Sequence, residues 1–308
     1  MKIISRFATM LFAAICLQPS LHAQQPNNQD IFGHPLPPQR HTHVYGQSIA
    51  YYDMGTAKPG QPVLILLHGY GSQADVDFGP SLPALAKHRR VIALDQIGAG
   101  NSAKPQIEYR VQTYVDFLAE FLSTLHITHF DLAGESLGGW TAADYAEQAV
   151  KPGSTLPRPT HLILEDAAGF TAPSTPIPTG LKMTVSTVDE VVTGLRAVFY
   201  DPALITQQVA KRRFISKLQA NDGFAAATFS TNPLVRTEAV GGKASTIATP
   251  TLIVWGAEDH TVPVADAHAF AQAIPGAKLV LIERSGHVPS LEQPIQFVNA
   301  VEQFLEGR

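Results

Sequence analysis

DLAGESLGGW, residues 131–140, runs from apolar residues into a serine fenced by glycines. Upstream, HFDLAG (129–134) is a short continuous apolar run of the kind that forms a buried strand. Downstream, LGGWTAADYAEQAV (137–150) is helix-forming. A chain that passes from strand to helix in one tight turn forces Ser136 into a strained conformation, and Gly134 and Gly138 leave room for the elements crowding it. Its hydroxyl then stands at a helix N-terminus, where the dipole favours developing negative charge. G-x-S-x-G is short enough to arise by chance, so its weight comes from the strand before it and the helix after it.

The same alternation continues outward. VLILLHG (63–69), RVIALD (90–95), HLILED (161–166), TLIVWG (251–256) and KLVLIE (278–283) are apolar runs of strand length, suited to strands covered on both faces. Tyr114, Leu118, Phe121, Leu122 and Leu125 recur at helical spacing and predict a helix over 111–126. Further helices are expected at 264–274 and 292–306, and HVYGQSIAYYDMG (43–55) reads as a hairpin around Gly46. The fold class is therefore α/β, a mostly parallel central sheet with helices on both faces. Between Asp166 and Thr251 roughly eighty residues carry no buried-strand run, too many for a loop. That interval opens on the proline-rich TAPSTPIPTG and turns helical through STVDEVVTGLRAVFY and ALITQQVAKRRFISKLQA. It is expected to be a helical cap at 171–245, inserted into a core made of 43–170 and 246–308.

The first 23 residues place Lys2 and Arg6 before an apolar stretch too short to span a bilayer and then Ala23, the order of a signal peptide at 1–23. Export to the periplasm or beyond follows as an expectation, with no stable membrane association once the leader is removed. The only cysteine, Cys16, lies in that leader, so the chain behind it relies on its core and not on disulfides. Residues 24–42, rich in Pro, Gln and Asn, read as a linker or N-terminal arm. With 22 basic against 26 acidic residues and no basic stripe, nucleic acid is excluded as a partner and a small molecule is expected. His41 and His43 lack the convergent ligands that a metal site needs, and no metal or organic cofactor is called for.

A serine needs a base, and the base needs an acid to orient it. Among twelve histidines, His287 follows the last strand in the loop RSGHVPSLEQP and is the candidate base. His126, His129, His161 and His260 sit at element margins with weaker claims. Asp259, in WGAEDHTVP beyond the 251–256 strand, is favoured as the acid because Ser136, Asp259 and His287 then follow the chain order Ser, acid, His. Asp166 is the fallback and Glu258 a third choice. The backbone N–H groups of Tyr70, in LLHGYGS, and Leu137 are the candidate oxyanion donors. His68 is assigned to bracing that loop.

HGYGS, DQIGAGNSAKP, GESLGGW, WGAEDHTVP and SGHVPSLEQP, in this order, resemble the α/β-hydrolase superfamily over nearly the whole chain behind the leader. The resemblance implies the α/β-hydrolase fold and a cofactor-free reaction. Relatives that cleave haloalkanes or epoxides carry aspartate where this chain carries Ser136, so an acyl-enzyme is implied and small carboxylic esters are the expected substrates. The segment 199–214, FYDPALITQQVAKRRF, resembles the lid of carbon–carbon bond hydrolases acting on ring-fission dienones, with Arg213 at the position of their substrate-contacting arginine. Tyr70, Glu135 and Val288 depart from that subfamily, which usually has glycine, asparagine and tryptophan there. Carbon–carbon cleavage is the alternative, and a ligand-binding protein on the same fold is a second. Gly98, Gly100 and Ala103 also fit a dinucleotide fingerprint, but Pro105 stands where the phosphate-binding helix would extend.

Overall fold

In the computed structural model, which describes residues 28–172 and 184–307, Tyr45 (φ 50°) and Gly46 (φ 74°) reverse the chain between two paired strands. Positive φ at both turn positions matches the twist of the strands they join. These are β1 (Arg40–Val44) and β2 (Gln47–Met54), followed by β3 (Val63–Leu67), β4 (Val91–Leu94), β5 (Phe130–Glu135), β6 (Leu162–Glu165), β7 (Thr251–Gly256) and β8 (Lys278–Ile282). They form one sheet in the order β1-β2-β4-β3-β5-β6-β7-β8. The β1–β2 and β2–β4 pairs are antiparallel, and every pair from β4 to β8 is parallel.

The helices are α1 (Ala74–Asp77), α2 (Leu82–Leu85), α3 (Val111–Thr124), α4 (Leu137–Ala149), α5 (Val188–Val198), α6 (Gln207–Ala220), α7 (Gly223–Thr231), α8 (Val264–Ala273), α9 (Pro289–Glu292) and α10 (Pro294–Leu305). Alternation along the strands divides the core in two. Ile65 and Leu67 of β3 pack with α3, α4 and α8, whereas Leu64 and Leu66 pack with α2 and α10. From β3 the chain moves to β4 on one side and returns to β5 on the other. That reversal opens a crevice at the carboxyl ends of the parallel strands, where Ser136, Asp166, Asp259 and His287 all emerge.

Between β6 and β7 the described chain is helical. Thr187 caps α5 by accepting the Glu190 N–H, Thr206 caps α6 by accepting the Val209 N–H, and Asn221 ends α6 in the left-handed region at φ 49°. Val191, Leu195, Phe199 and Val209 from these helices form a third apolar cluster with Val288 and Leu291 beside the histidine loop. The expected signal peptide at 1–23 and most of the proline-rich segment lie outside the described residues.

The segment 24–42, read as a linker or N-terminal arm, is packed over its described part. Ile31 and Leu36 are buried, Ile31 joins the third cluster, and β1 begins at Arg40. Pro and Gln content masked two apolar residues that are anchored by burial, not by periodicity. In the main core, Trp255 is fully buried and its indole N–H donates to the Val262 carbonyl. Trp255→Ala is expected to cost about 3–5 kcal/mol, read as a lowered urea midpoint at unchanged slope.

Candidate active site

Ser136 takes φ 49° and ψ −112° between the end of β5 and the first residue of α4. A non-glycine residue is held there only when its surroundings over-determine it. They do. The Ser136 N–H donates to the Glu165 carbonyl at 2.9 Å, and its own carbonyl accepts from Trp140 N–H at 2.9 Å and Ala168 N–H at 3.0 Å. The flanking glycines are steric necessities. A Cβ on Gly134 would lie 2.1 Å from the Gly138 carbonyl oxygen, and one on Gly138 would lie 2.0 Å from that of Leu67.

His287 is buried, and its Nδ1 lies 2.8 Å from Asp259 Oδ2. The second Asp259 oxygen accepts the N–H groups of Thr261 (2.7 Å) and Val262 (3.1 Å), which fixes the carboxylate against the ring. Asp166, the fallback acid, takes φ 41°, and its Oδ1 accepts the Gly256 N–H at 3.0 Å, whereas the hydrogen bond to the histidine ring is made by Asp259. Glu258 instead accepts the Ser285 N–H. His161 pairs with Asp131 at the far end of β5, and His126, His129 and His260 are exposed. The ligating atoms of Asp166, Asp259 and His287 fall within 4.8 Å of one another, close enough to hold a metal ion, although the facing atoms of Asp259 and His287 are engaged with each other.

The electrostatics separate the two aspartates. Burial raises the Asp259 carboxyl, but the His287 ring together with hydrogen bonds from Asp166 and Thr261 outweighs it and leaves Asp259 below its ordinary value. Burial, with Asp259 and Glu165 nearby, drives Asp166 well above its own. The two shifts run in opposite directions, favouring charge on Asp259 and the neutral form of Asp166.

Tyr70 and Leu137 line the same cavity as Ser136 and His287. Leu137 is the first residue of α4, a position whose N–H has no acceptor within the helix. The Tyr70 hydroxyl is bonded to the Ala226 carbonyl of α7, which ties the loop after β3 to the helices above it. His68 braces this loop, with Nδ1 2.8 Å from the Gly69 carbonyl and Nε2 accepting the Gln96 N–H at 2.9 Å. The cavity measures about 720 Å³, and its walls include Val191, Leu195, Phe199, Trp140 and Leu291. Arg213 also reaches it. Its guanidinium donates to the Gly71 carbonyl at 2.7 Å and to Ser216 Oγ at 3.4 Å, and burial draws its pKa down.

Two features were not legible in the motif spacing. Glu135, noted only as an unusual neighbour of the serine, is buried with Oε1 3.3 Å from His287 Nε2. The His287 N–H donates to the Val198 carbonyl at the end of α5 (2.8 Å), so the histidine loop and the overlying helix are joined directly. Glu292 reinforces that junction by accepting the Tyr200 N–H at 2.7 Å.

Comparison with known proteins follows this geometry. A family model described as "Alpha/beta hydrolase family" matches residues 64–301. The chain is 30% identical over 267 residues to a 2-hydroxy-6-oxo-2,4-heptadienoate hydrolase of Pseudomonas putida, covering 82% of this chain and 91% of that protein. Its structure is similar to that of a meta-cleavage product hydrolase from Pseudomonas fluorescens, with a TM-score of 0.75 at 25% identity over 87% of this chain and 97% of the other. It is also similar to a membrane phospholipase A, with a TM-score of 0.70 at 26% identity over 87% of this chain and 86% of that one.

Proposed function

We propose, from the premise that this chain belongs to the alpha/beta hydrolase family, that it cleaves the carbon–carbon bond beside a ketone in small 2-hydroxy-6-oxo-dienoate acids. Ser136 is the nucleophile, His287 the base and Asp259 its orienting acid. The observation that carries the catalytic part is the strained Ser136 sharing one cavity with a His287 ring hydrogen-bonded to Asp259 at 2.8 Å. The choice of bond is supported by the dienoate hydrolase to which the chain is 30% identical and by the similar meta-cleavage product hydrolase structure. This reverses the order of preference reached from the sequence, which put esters first.

His287 Nε2 takes the Ser136 proton as Oγ attacks the ketone carbon, and Asp259 stabilises the imidazolium. The N–H groups of Tyr70 and Leu137 hold the oxyanion. For the carbon–carbon bond to break, the dienol first shifts its 2-hydroxyl proton to C5 to give the keto tautomer; the bonding pair then flows through the C3–C4 double bond onto the C2 oxygen, and the dienolate takes the proton from His287. Water activated by the same ring releases the acid. Arg213, on the cavity wall, is the cation available to a substrate carboxylate.

Carboxylic ester hydrolysis is the second reading, favoured by Glu135 and Val288, which depart from the carbon–carbon subfamily, and by the similar phospholipase structure. The same residues would serve, with an alkoxide as leaving group. The two are separated by measuring kcat/KM for loss of dienol absorbance with 2-hydroxy-6-oxo-2,4-heptadienoate against release of p-nitrophenol from the butyrate ester. The dienoate is expected to lead by about tenfold or more, a difference of about 1.4 kcal/mol in transition-state stabilisation. An ester lead of that size would sink the carbon–carbon reading.

A further inference from the structure

Glu135 lies between the nucleophile turn and the loop after β3. Its Oε1 lies 3.3 Å from His287 Nε2, and a Cβ placed on Gly69 would lie 2.0 Å from its Oε2. Gly69 also donates its N–H to Asp77 Oδ2 at 2.8 Å, so the two carboxyls converge on that glycine. Asp77 holds the loop from both ends, since its other oxygen accepts the Ser72 hydroxyl. It therefore behaves as an acceptor twice over, and a carboxyl beside it must bring a proton to avoid repulsion.

The remaining surroundings point the same way. Facing Glu135 are Asp77 from α1, Glu165 from the end of β6, Asp259 from beyond β7, and His287. Arg213, from α6, places its charge on Asp77. Burial first, then Asp77 and Glu165, drive the Glu135 carboxyl well above its ordinary value. Glu165 is itself pushed up to about 8, chiefly by burial.

We propose that Glu135 is a positioning residue: its Oε2 meets the Asp77 carboxyl, on which the Gly69–Ser72 loop hangs, while its Oε1 stands 3.3 Å from the Nε2 of His287 as the acceptor that steadies the ring once Nε2 holds the Ser136 proton. This rests on the hydrolase reading of Ser136 and His287. The link keeps the candidate oxyanion donor Tyr70 in register with Ser136. Ionisation sets two carboxylates against each other at Gly69 and moves the loop. For a carboxyl whose folded-state value is raised, the favourable contribution is complete at low pH and is lost as pH rises through that value. The signature is an alkaline limb that belongs to Glu135.

The test follows the rate at which a fluorophosphonate probe attaches to Ser136 in the full chain, by mass spectrometry, as pH is raised from neutral to the highest value at which the fold is kept. The wild-type rate is expected to fall by at least about tenfold and to recover on return to the lower pH. In Glu135→Gln, which cannot ionise but keeps a donor and an acceptor, the fall is expected to shrink below about threefold, whereas Glu165→Gln keeps the wild-type fall. A fall in Glu135→Gln equal to that of wild type overturns the proposal. So does a wild-type rate that does not fall or does not recover, an outcome that needs no variant to fold. Absence of labelling at Ser136 at every pH overturns the hydrolase reading itself and this proposal with it.

Discussion

Ser136→Ala is expected to lower kcat by about 10⁵- to 10⁶-fold on whichever of the two substrate classes is turned over, and to abolish fluorophosphonate labelling. Removing the hydroxyl leaves His287 and Asp259 in place with no atom to activate, so the residual rate is that of binding and the oxyanion donors alone. The variant should fold, because alanine keeps the backbone bonds from Ser136 N–H to Glu165 and from its carbonyl to Trp140 and Ala168. Measurement of kcat alongside the thermal midpoint separates chemistry from stability. Activity within tenfold of wild type in a folded variant would remove Ser136 from the reaction.

Asp259→Asn should cost about 10⁴-fold in kcat, because an amide facing Nδ1 favours the wrong tautomer and gives no charge to the imidazolium. Asp166→Asn supplies the contrast. Burial beside Asp259 pushes that carboxyl toward its neutral form, which an amide of the same shape resembles. A loss of about tenfold or less is expected there. If the two variants exchange places, the orienting acid is Asp166, and the 2.8 Å contact between Asp259 and His287 is structural.

The two aspartates also mark how far the sequence could be read. Both follow apolar strands, and chain order alone ranked Asp259 first. The strands themselves were legible because buried parallel strands read as unbroken apolar runs, and 63–69, 90–95 and 251–256 contain β3, β4 and β7. Less legible was anything decided by proximity across the sheet edge. Asp77 sits in a four-residue helix with no periodicity to announce it, and Glu135 meets His287 across 152 positions of chain through the crossing of β5 and the last loop. Arg213 could be matched to a motif, yet its inward direction depends on how α6 lies over Gly71. The buried Ile31 and Leu36 were hidden in a segment whose composition resembles a linker.

The bond between the His287 N–H and the Val198 carbonyl has a consequence for how such a protein can change over generations. Val191 and Leu195, on the same helix that ends at Val198, shape the roof over the substrate. A substitution that lifts this helix to admit a bulkier molecule also displaces the backbone that carries the proton acceptor. Selectivity and turnover are therefore inherited together here. Lineages that broaden their diet through α5 are expected to lose speed, and α7 offers no way round, since its Ala226 carbonyl holds the hydroxyl of Tyr70, the candidate oxyanion donor, and Phe229 packs on the same ring.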